Sequence, residues 1–291
     1  MVRLSHLLTL TPRETWRIAR QRLPGFKGGP SWTVDELLSS AKHARGIRFA
    51  EHLLRHEAIV RQKVPAWVPL EFEGKRVVEV GCGPLGGYGP LAIFRGASSF
   101  ESADPEWAPE LFYSEPVIEK YLRIFHADLV ALYGPRMPFC DFLEALRSRM
   151  RIVTCGFERA PIAAPVDIVL SQSVLEHVFP LAATVAKLAE IQGPATRFLH
   201  LVDFGNHYPT QNPFEGLYAG SAADYIRTRG RAINCLRISD VGGMFARAGI
   251  ATVIAPSRVL DGTRGAIHDS WRSRYSDEDL FTQLALVASP A

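Results

Sequence analysis

After residue 70, hydrophobic residues occur in short runs rich in Val, Ile and Leu, and longer stretches with helical spacing separate most of these runs. Short β-branched runs predict strands, whereas apolar residues three and four positions apart predict helices. The first run, RVVEV, is followed by a series of glycines. We predict strands at 76–80, 99–104, 151–155, 167–171, 196–203, 251–256 and 280–288.

Two helix starts are visible in the sequence. Thr33 followed by Glu36 is the pattern of a capping box, in which each side chain bonds to the backbone of the other residue. Ser114 with Pro116 is the second start, because serine caps helices and proline suits their first turn. We predict helical stripes at 34–58, 117–132, 178–189 and 239–249.

The alternation of strands and helices predicts an α/β fold with a largely parallel sheet that helices cover on both faces. We expect a helical N-terminal extension at 1–70 and the α/β domain at 71–291. Within that domain, 106–150 is long for one crossover and predicts a helical insertion. The aromatic and polar segment 204–238 predicts a lid beside the site.

Composition and cysteine usage exclude several classes of protein. The 291 residues are 47% hydrophobic and 22% charged, which supplies a full core and excludes disorder as the main state. No apolar run reaches the ~18–20 residues of a membrane span.

The four cysteines are scattered without a Cys-x-x-Cys pair, so neither a zinc site nor a disulfide framework is expected. The first residues lack the pattern of a signal peptide, and we expect a cytoplasmic protein.

Charge is unevenly distributed along the chain. Residues 1–63 carry 12 of the 33 basic and 5 of the 30 acidic side chains, a net charge of +7, whereas the remainder has a net charge of −4. A basic head either contacts an anionic substrate or surface weakly, or is a solvated helical surface whose arginines form ion pairs. The small overall charge and the absence of a nucleic-acid-binding motif argue against a nucleic-acid partner.

Glycines follow the first predicted strand, and an acidic residue follows the second. In an open α/β sheet, ligands bind beyond the carboxyl ends of the strands. Gly81-x-Gly83-x-x-Gly86 allows close approach of backbone to a ligand, and Asp104 suits the two hydroxyls of a ribose. Together they predict a cofactor that contains a nucleoside. Glu79 lies where a dinucleotide fold needs an apolar residue, which disfavours NAD.

The segments VVEVGCGPLGG (77–87) and DIVLSQSVLEHV (167–178), together with Asp104, resemble the class I S-adenosylmethionine-dependent methyltransferases. The resemblance covers about residues 72–289 and is specific as a set. It implies a Rossmann-like, seven-stranded, mostly parallel sheet whose last strand is antiparallel. S-adenosylmethionine is the cofactor that it implies.

The resemblance also implies roles for individual residues. Glu79 would steady the glycine loop near the methionine part of the cofactor, and Asp104 would hold the ribose. Two departures from the family pattern are Leu85, at the place of a third glycine, and the absence of an acidic residue at 155–157. The implied cofactor-binding residues are Glu79, Gly81, Cys82, Gly83, Gly86, Asp104, Gly156, Phe157, Ser171 and Gln172.

A hydroxyl acceptor would have to lose its proton, and a nearby His or carboxylate is suited to take it. The candidates are His177, predicted to open the helix after the fourth strand, and Asp203 and His207 at the end of the fifth. The alternative role is a histidine bonded to backbone for His177, a loop cap for Asp203 and an exposed loop histidine for His207. His200 with Asp203 and His207 suggests a metal trio, but strand residues 200 and 203 face opposite sides, so we expect no metal.

The acceptor is predicted less sharply than the cofactor. Segments similar to HLVDFGNHY and NCLRISD occur in methyltransferases of glycan and secondary-metabolite pathways. This resemblance favours a hydroxyl of a sugar or another small metabolite, with carbon or nitrogen acceptors, an NAD-dependent oxidoreductase and a non-catalytic partner as alternatives. A set of side chains in 206–237 either lines a pocket or packs on itself: Tyr208, Phe214, Tyr218, Tyr225, Asn234 and Arg237.

Overall fold

A computed structural model describes residues 32–42, 44–208, 210–262 and 265–290. Residues 1–31 of the predicted helical extension lie outside these ranges. None of the helices in the described ranges has both the length and the apolar character needed to span a bilayer.

Seven strands form one sheet in the order β3-β2-β1-β4-β5-β7-β6. The first five strands pair in parallel, and β7 lies antiparallel between β5 and β6. The predicted fold class is therefore confirmed. The strands are β1 (Arg76–Val80), β2 (Ser99–Ala103), β3 (Met150–Val153), β4 (Val166–Gln172), β5 (Gln192–Asp203), β6 (Val253–Val259) and β7 (Thr282–Ala288).

Helices cover both faces of this sheet. Val77 and Val78 are fully buried neighbours in β1, yet they belong to two different core clusters, because adjacent side chains in a strand face opposite sides. The α-helices are α1 (Val34–Ala41), α2 (Gly46–Lys63), α3 (Gly89–Phe94), α4 (Pro109–Phe112), α5 (Glu115–Val117), α6 (Arg123–Tyr133), α7 (Phe139–Arg149), α8 (Leu181–Ile191), α9 (Ala222–Arg229), α10 (Ile238–Arg247), α11 (Asp269–Arg272) and α12 (Asp277–Phe281).

The chain reverses its direction of travel across the sheet between β1 and β4. From β1 it continues to β2 and β3 on one side, then returns to β4 and β5 on the other. The carboxyl ends of β1 and β4 therefore border the crevice where such sheets bind ligands.

The helices before the sheet pack into its core. The capping box of Thr33 and Glu36 is present, as predicted. In α2 the buried positions include Leu53 and Val60, whereas Leu54 is 60% exposed. Residues 64–75 contain no helix or strand but bury Trp67, so this segment is packed against the domain.

The long connection between β2 and β3 is helical. It contains α4 to α7, with a π-helical turn at Ile118–Leu122 between α5 and α6. Ser114 precedes α5 as its N-cap, as predicted.

Two element boundaries were wrong in informative ways. His177 does not open an α-helix, because it ends a 3-10 turn (Leu175–His177) and α8 starts only at Leu181, after Pro180. A proline disfavours helical backbone at the residue that precedes it, so the helix starts only after Pro180. The last strand starts at Thr282 and not at 280, because a capping box of Ser276 and Asp279 forms α12 first.

We expect the buried His200 to make stability depend on pH. Burial lowers the pKa of His200 to about 3, while an unfolded histidine titrates near ~6.5. Between these values the unfolded chain binds the proton more tightly, so stability falls as the pH falls from ~6.5 towards 3, by ~2 kcal/mol at about pH 5. His200→Asn, which keeps a polar atom near Ser171, should lose this part of the dependence in urea unfolding at about pH 7 and 5.

His56 provides an internal reference for this experiment. Burial also lowers its pKa to about 3, so its contribution remains in both proteins and cancels in the comparison. An identical pH dependence in wild type and variant would contradict the assignment to His200.

Candidate functional site

The glycine-rich turn after β1 leaves an open position beside its backbone. Gly81, Gly83 and Gly86 adopt left-handed backbone with φ of 67°, 64° and 77°. A Cβ atom at Gly83 would meet no atom within 4 Å, whereas one at Gly81 would lie 2.7 Å from a methyl group of Val174. The turn therefore packs against the chain that follows β4 on one side and exposes backbone to open space on the other.

Glu79 ties the end of this turn back to β1. The side chain is 2% exposed, and its Oε2 accepts a hydrogen bond of 2.7 Å from the backbone N–H of Tyr88. Burial, with the charge of Asp104 acting in the same direction, raises the pKa of Glu79 well above its usual value. A Cβ atom at Gly87 would lie 2.3 Å from Oε2, so glycine is required there. The contact with the turn that was predicted for Glu79 is present.

Asp104 connects the ends of β1 and β2. Its Oδ2 accepts a 2.6 Å hydrogen bond from the backbone N–H of Gly83, and its Oδ1 accepts one of 2.7 Å from that of Glu106. Burial raises the pKa of this carboxyl group. Each oxygen retains a lone pair that can accept a further hydrogen bond. The arrangement can therefore hold two adjacent hydroxyls beside the open position at Gly83.

A chain of polar side chains joins α2 to the glycine turn. The hydroxyl of Tyr88 donates a 2.8 Å hydrogen bond to Oε1 of Gln172, whose Nε2 lies 2.9 Å from Nδ1 of His52. Gln172 was predicted from the resemblance, but Tyr88 and His52 were not. Helical spacing of apolar residues is the only sequence signal in α2, and it does not indicate which polar residue faces the sheet.

Several predicted cofactor residues have buried side chains. Ser171 is 3% exposed and its Oγ lies 2.8 Å from Nδ1 of His200, so its side chain points into the core and does not line the site. Phe157 is 5% exposed within a core cluster, and Cys82 is 7% exposed. A Cβ atom at Gly156 would meet the carboxylate of Glu158 at 2.5 Å. Any contact from these four residues to a ligand would have to come mainly from the backbone.

A second group of residues converges at the carboxyl ends of β4 and β5. Nε2 of His207 lies 3.6 Å from Oδ2 of Asp203 and 3.8 Å from Oε1 of Glu176. The rings of His177 and His207 meet edge to face with centroids 4.7 Å apart. We call these four residues the Glu-His cluster. The structure thus brings the three predicted base candidates together and adds Glu176, which sequence reasoning missed.

Glu176 is the most unusual member of the Glu-His cluster. It is 3% exposed, and neither carboxyl oxygen makes a hydrogen bond of normal geometry among the described residues. Burial raises its pKa to about 8 and the charge of Asp203 contributes in the same direction, while the nearby backbone N–H groups of Glu176 and Asp203 oppose the change. Burial likewise lowers the pKa of His207, while Asp203 opposes that change. The net effect is a lowered pKa, which favours the neutral imidazole that can accept a proton.

Backbone contacts hold the Glu-His cluster in place. Nδ1 of His177 lies 2.5 Å from the carbonyl oxygen of Ala232, and the backbone N–H of Asn234 donates to the carbonyl of Glu176. Asp203 also caps its own loop, because Oδ1 accepts from the N–H of Gly205 at 2.8 Å. The alternative roles considered for His177 and Asp203 are thus both present alongside their positions in the cluster.

Of the two alternatives left open for the aromatic segment, packing on itself describes most of its side chains. Tyr218 is 2% exposed within a separate core cluster, which also contains Phe214 and Tyr225. Arg237 is 1% exposed and donates hydrogen bonds to the carbonyl of Phe204 and the hydroxyl of Tyr218. The contacts of this segment with the Glu-His cluster are those of its backbone at Ala232 and Asn234.

A groove of about 590 Å³ lies elsewhere, along α10 and the edge strand β6. Gly242, Ala246 and Ile254 line it. It contains none of the candidate residues and so does not compete as the functional site.

No protein-family model and no curated protein matches the chain. Several solved structures are similar to it. An S-adenosylmethionine-dependent methyltransferase from Mesorhizobium loti is 16% identical, with 79% of this chain and 97% of that chain covered and a TM-score of 0.44. Magnesium protoporphyrin IX methyltransferase from Synechocystis, solved with bound SAH, is 14% identical, with 82% and 83% covered and a TM-score of 0.40.

A third similar structure is Haemonchus contortus phosphoethanolamine N-methyltransferase 2 in complex with S-adenosyl-L-methionine. It is 13% identical over 70% of this chain and 38% of that chain, with a TM-score of 0.41. These likenesses concern the fold.

Proposed function

We propose that the protein is a methyltransferase that uses S-adenosyl-L-methionine. The observation that carries the proposal is the hydrogen bond between Asp104 and the backbone of Gly83. It brings a carboxylate that suits a ribose to the open side of a glycine turn, at the switch point of the sheet. The similar solved structures, which include complexes with S-adenosyl-L-methionine and SAH, agree with it.

The residues at the switch point fit this cofactor. Asp104 has free lone pairs for the ribose hydroxyls, and the open position at Gly83 accepts a ligand against bare backbone. Glu79 holds the turn through Tyr88, and Gln172 extends the polar lining towards β4. Gly81, Cys82, Gly86, Gly156 and Phe157 are proposed to contribute backbone or apolar surface.

When bound, S-adenosyl-L-methionine supplies a methyl group whose carbon accepts an electron pair from the acceptor while the C–S bonding pair stays on sulfur. The chain's own part is to align the acceptor with that methyl group at ~3–3.5 Å and to exclude water. In its neutral form, His207 can take a proton from a hydroxyl through Nε2. Asp203, 3.6 Å away, would stabilise the resulting imidazolium.

We propose a hydroxyl of a sugar, glycan or secondary metabolite as the acceptor. The Glu-His cluster supports an oxygen acceptor because an amine needs no strong base once it is neutral, whereas an alcohol must lose a proton. Carbon and nitrogen acceptors remain the alternatives. A reducing compartment such as the cytoplasm belongs to the same proposal, since all four cysteines are free.

The division into an extension at 1–70 and a domain at 71–291 is also kept as a proposal. The basic head within 1–63 is proposed to contact an anionic substrate or surface weakly. We propose no nucleic-acid partner.

Binding of the two candidate cofactors tests the proposal directly. We expect isothermal titration calorimetry to detect S-adenosylhomocysteine binding with a dissociation constant in the micromolar range, about −8 kcal/mol, and no binding of NAD at the same concentrations. The reason is that Glu79 fills the position that a dinucleotide fold keeps apolar. Micromolar NAD binding without S-adenosylhomocysteine binding would replace the methyltransferase by an oxidoreductase.

A further inference from the structure

We propose that Glu176, His177 and His207 bind one divalent transition-metal ion. Their nearest donor atoms all lie within 4.8 Å of one another. Asp203, whose Oδ2 is 3.6 Å from Nε2 of His207, adds negative charge at the edge of the site. The sequence led us to expect no metal, and this proposal departs from that expectation.

The distances from His207 to its two acidic neighbours are longer than those of hydrogen bonds. The 3.6 and 3.8 Å separations from Nε2 of His207 to the two carboxylates are longer than the ~2.7–3.2 Å of an N–H···O hydrogen bond. Donor atoms about 2.0–2.1 Å from one tetrahedral ion lie roughly 3.3–3.4 Å from each other. The donor atoms of Glu176, His177 and His207, now within 4.8 Å of one another, would have to close to that spacing around an ion.

Glu176 supplies the independent sign of a ligand. Its carboxyl group is buried, its Oε1 lies 3.8 Å from Nε2 of His207, and neither oxygen makes a hydrogen bond of normal geometry among the described residues. A buried carboxyl group without such a partner is costly, and a second acidic side chain, Asp203, lies close by. No Lys or Arg in the described part of the chain forms an ion pair with either of them. A bound cation would satisfy both.

The two histidines are prepared to bind through Nε2. The contact of Nδ1 of His177 with the carbonyl of Ala232 leaves Nε2 of that ring free, which is how backbone carbonyls orient metal-binding histidines. His207 has a φ of 56°, a conformation that non-glycine residues adopt rarely and that recurs at functional sites. Because the side chains of His177 and His207 are partly accessible, an ion can reach the site from solvent.

The donor set selects the kind of ion. Two imidazoles with one carboxylate suit zinc and related first-row ions, whereas magnesium and calcium prefer oxygen donors throughout. Three protein ligands leave a position for water or for a hydroxyl of the acceptor. Binding of an acceptor hydroxyl at this position rests on the proposed function. In that case His207 would be a metal ligand and not the base.

The test is titration of Zn²⁺ into the chelator-treated, full-length protein by calorimetry, with Co²⁺ absorption as a second readout. We expect one ion per chain and a rise in the unfolding midpoint on binding. Glu176→Gln and His207→Asn should each weaken binding at least about 100-fold, since loss of mere supporting partners already costs about 10–100-fold.

Both variants are chosen to fold. Glu176→Gln keeps the shape of the buried side chain and replaces one carboxyl oxygen by an amide nitrogen, and asparagine tolerates the left-handed backbone at position 207. His268→Asn is the matched control, because His268 is an exposed cap of α11 and asparagine also caps helices. Its Zn²⁺ affinity should equal that of wild type.

Two outcomes would overturn the proposal: no Zn²⁺ binding to the wild type, or equal binding by all four proteins. Titration of S-adenosylhomocysteine into the same samples separates this proposal from the proposed function. Binding of the nucleoside without Zn²⁺ rejects the metal site alone, and binding of Zn²⁺ without the nucleoside rejects the methyltransferase alone.

Discussion

Changing Asp104 to alanine is expected to weaken binding of S-adenosylhomocysteine by roughly 5- to 150-fold, equivalent to ~1–3 kcal/mol. The carboxylate is 9% exposed and is proposed to accept both ribose hydroxyls, so its removal leaves those hydroxyls without partners in a buried site. It also frees the N–H of Gly83, and the glycine turn loses its link to β2. Isothermal titration calorimetry measures the change.

Two further variants make this result specific. Asp104→Asn keeps one acceptor oxygen for two backbone donors and should give an intermediate loss of affinity. Asp141→Ala, on the exposed surface of α7, removes a carboxylate away from the glycine turn and should leave the affinity unchanged. If Asp104→Ala binds as tightly as wild type, the ribose does not lie at Asp104.

Changing Gly87 to alanine is expected to lower the free energy of unfolding by ~2–4 kcal/mol and to abolish measurable cofactor binding. The added Cβ would lie 2.3 Å from Oε2 of Glu79 at a φ of 50°. Moving Glu79 away would cost free energy, because the side chain is buried and its Oε2 accepts a hydrogen bond from the N–H of Tyr88. The turn must therefore shift, and thermal unfolding should report a midpoint lower by roughly 5–10 °C.

Gly249 provides the matched control for this substitution. It also has a left-handed backbone, with a φ of 73° just after α10, but a Cβ atom there would meet nothing within 4 Å. Gly249→Ala should cost ~1 kcal/mol from backbone strain alone. Equal losses in the two variants would mean that the contact with Glu79 has no energetic consequence.

The fold was largely predictable from the sequence because its signals are local. Each strand is a short apolar run, and turns or caps mark its ends. The errors occurred where a second local signal competed, as with Pro180 delaying α8 and the Ser276 capping box displacing the start of β7. The edge strand β6 runs past its predicted end at Pro256, which a strand tolerates when one side is unpaired.

The candidate site was predictable only where a residue follows a strand directly. Asp104 met that condition and lies at the glycine turn, although its hydrogen bond to Gly83 was not predicted. The side chains of neighbouring residues were harder to assign, because Ser171 and Gln172 point to opposite faces of β4 and only Gln172 reaches the glycine turn. His52 and Glu176 could not be found from spacing, since their positions depend on how α2 and the 3-10 turn pack against the sheet.

The insertion of β7 between β5 and β6 has a consequence for how the chain folds. The β6–β7 pair is built from neighbouring segments and can form early, but its docking onto β5 must close a long loop and is entropically slower. Until then β5 offers an unpaired, apolar edge of the kind that recruits other chains into aggregates. The rate of that docking step therefore sets the interval during which newly made molecules are vulnerable to misassembly, and conditions that shorten it should favour recovery of folded protein.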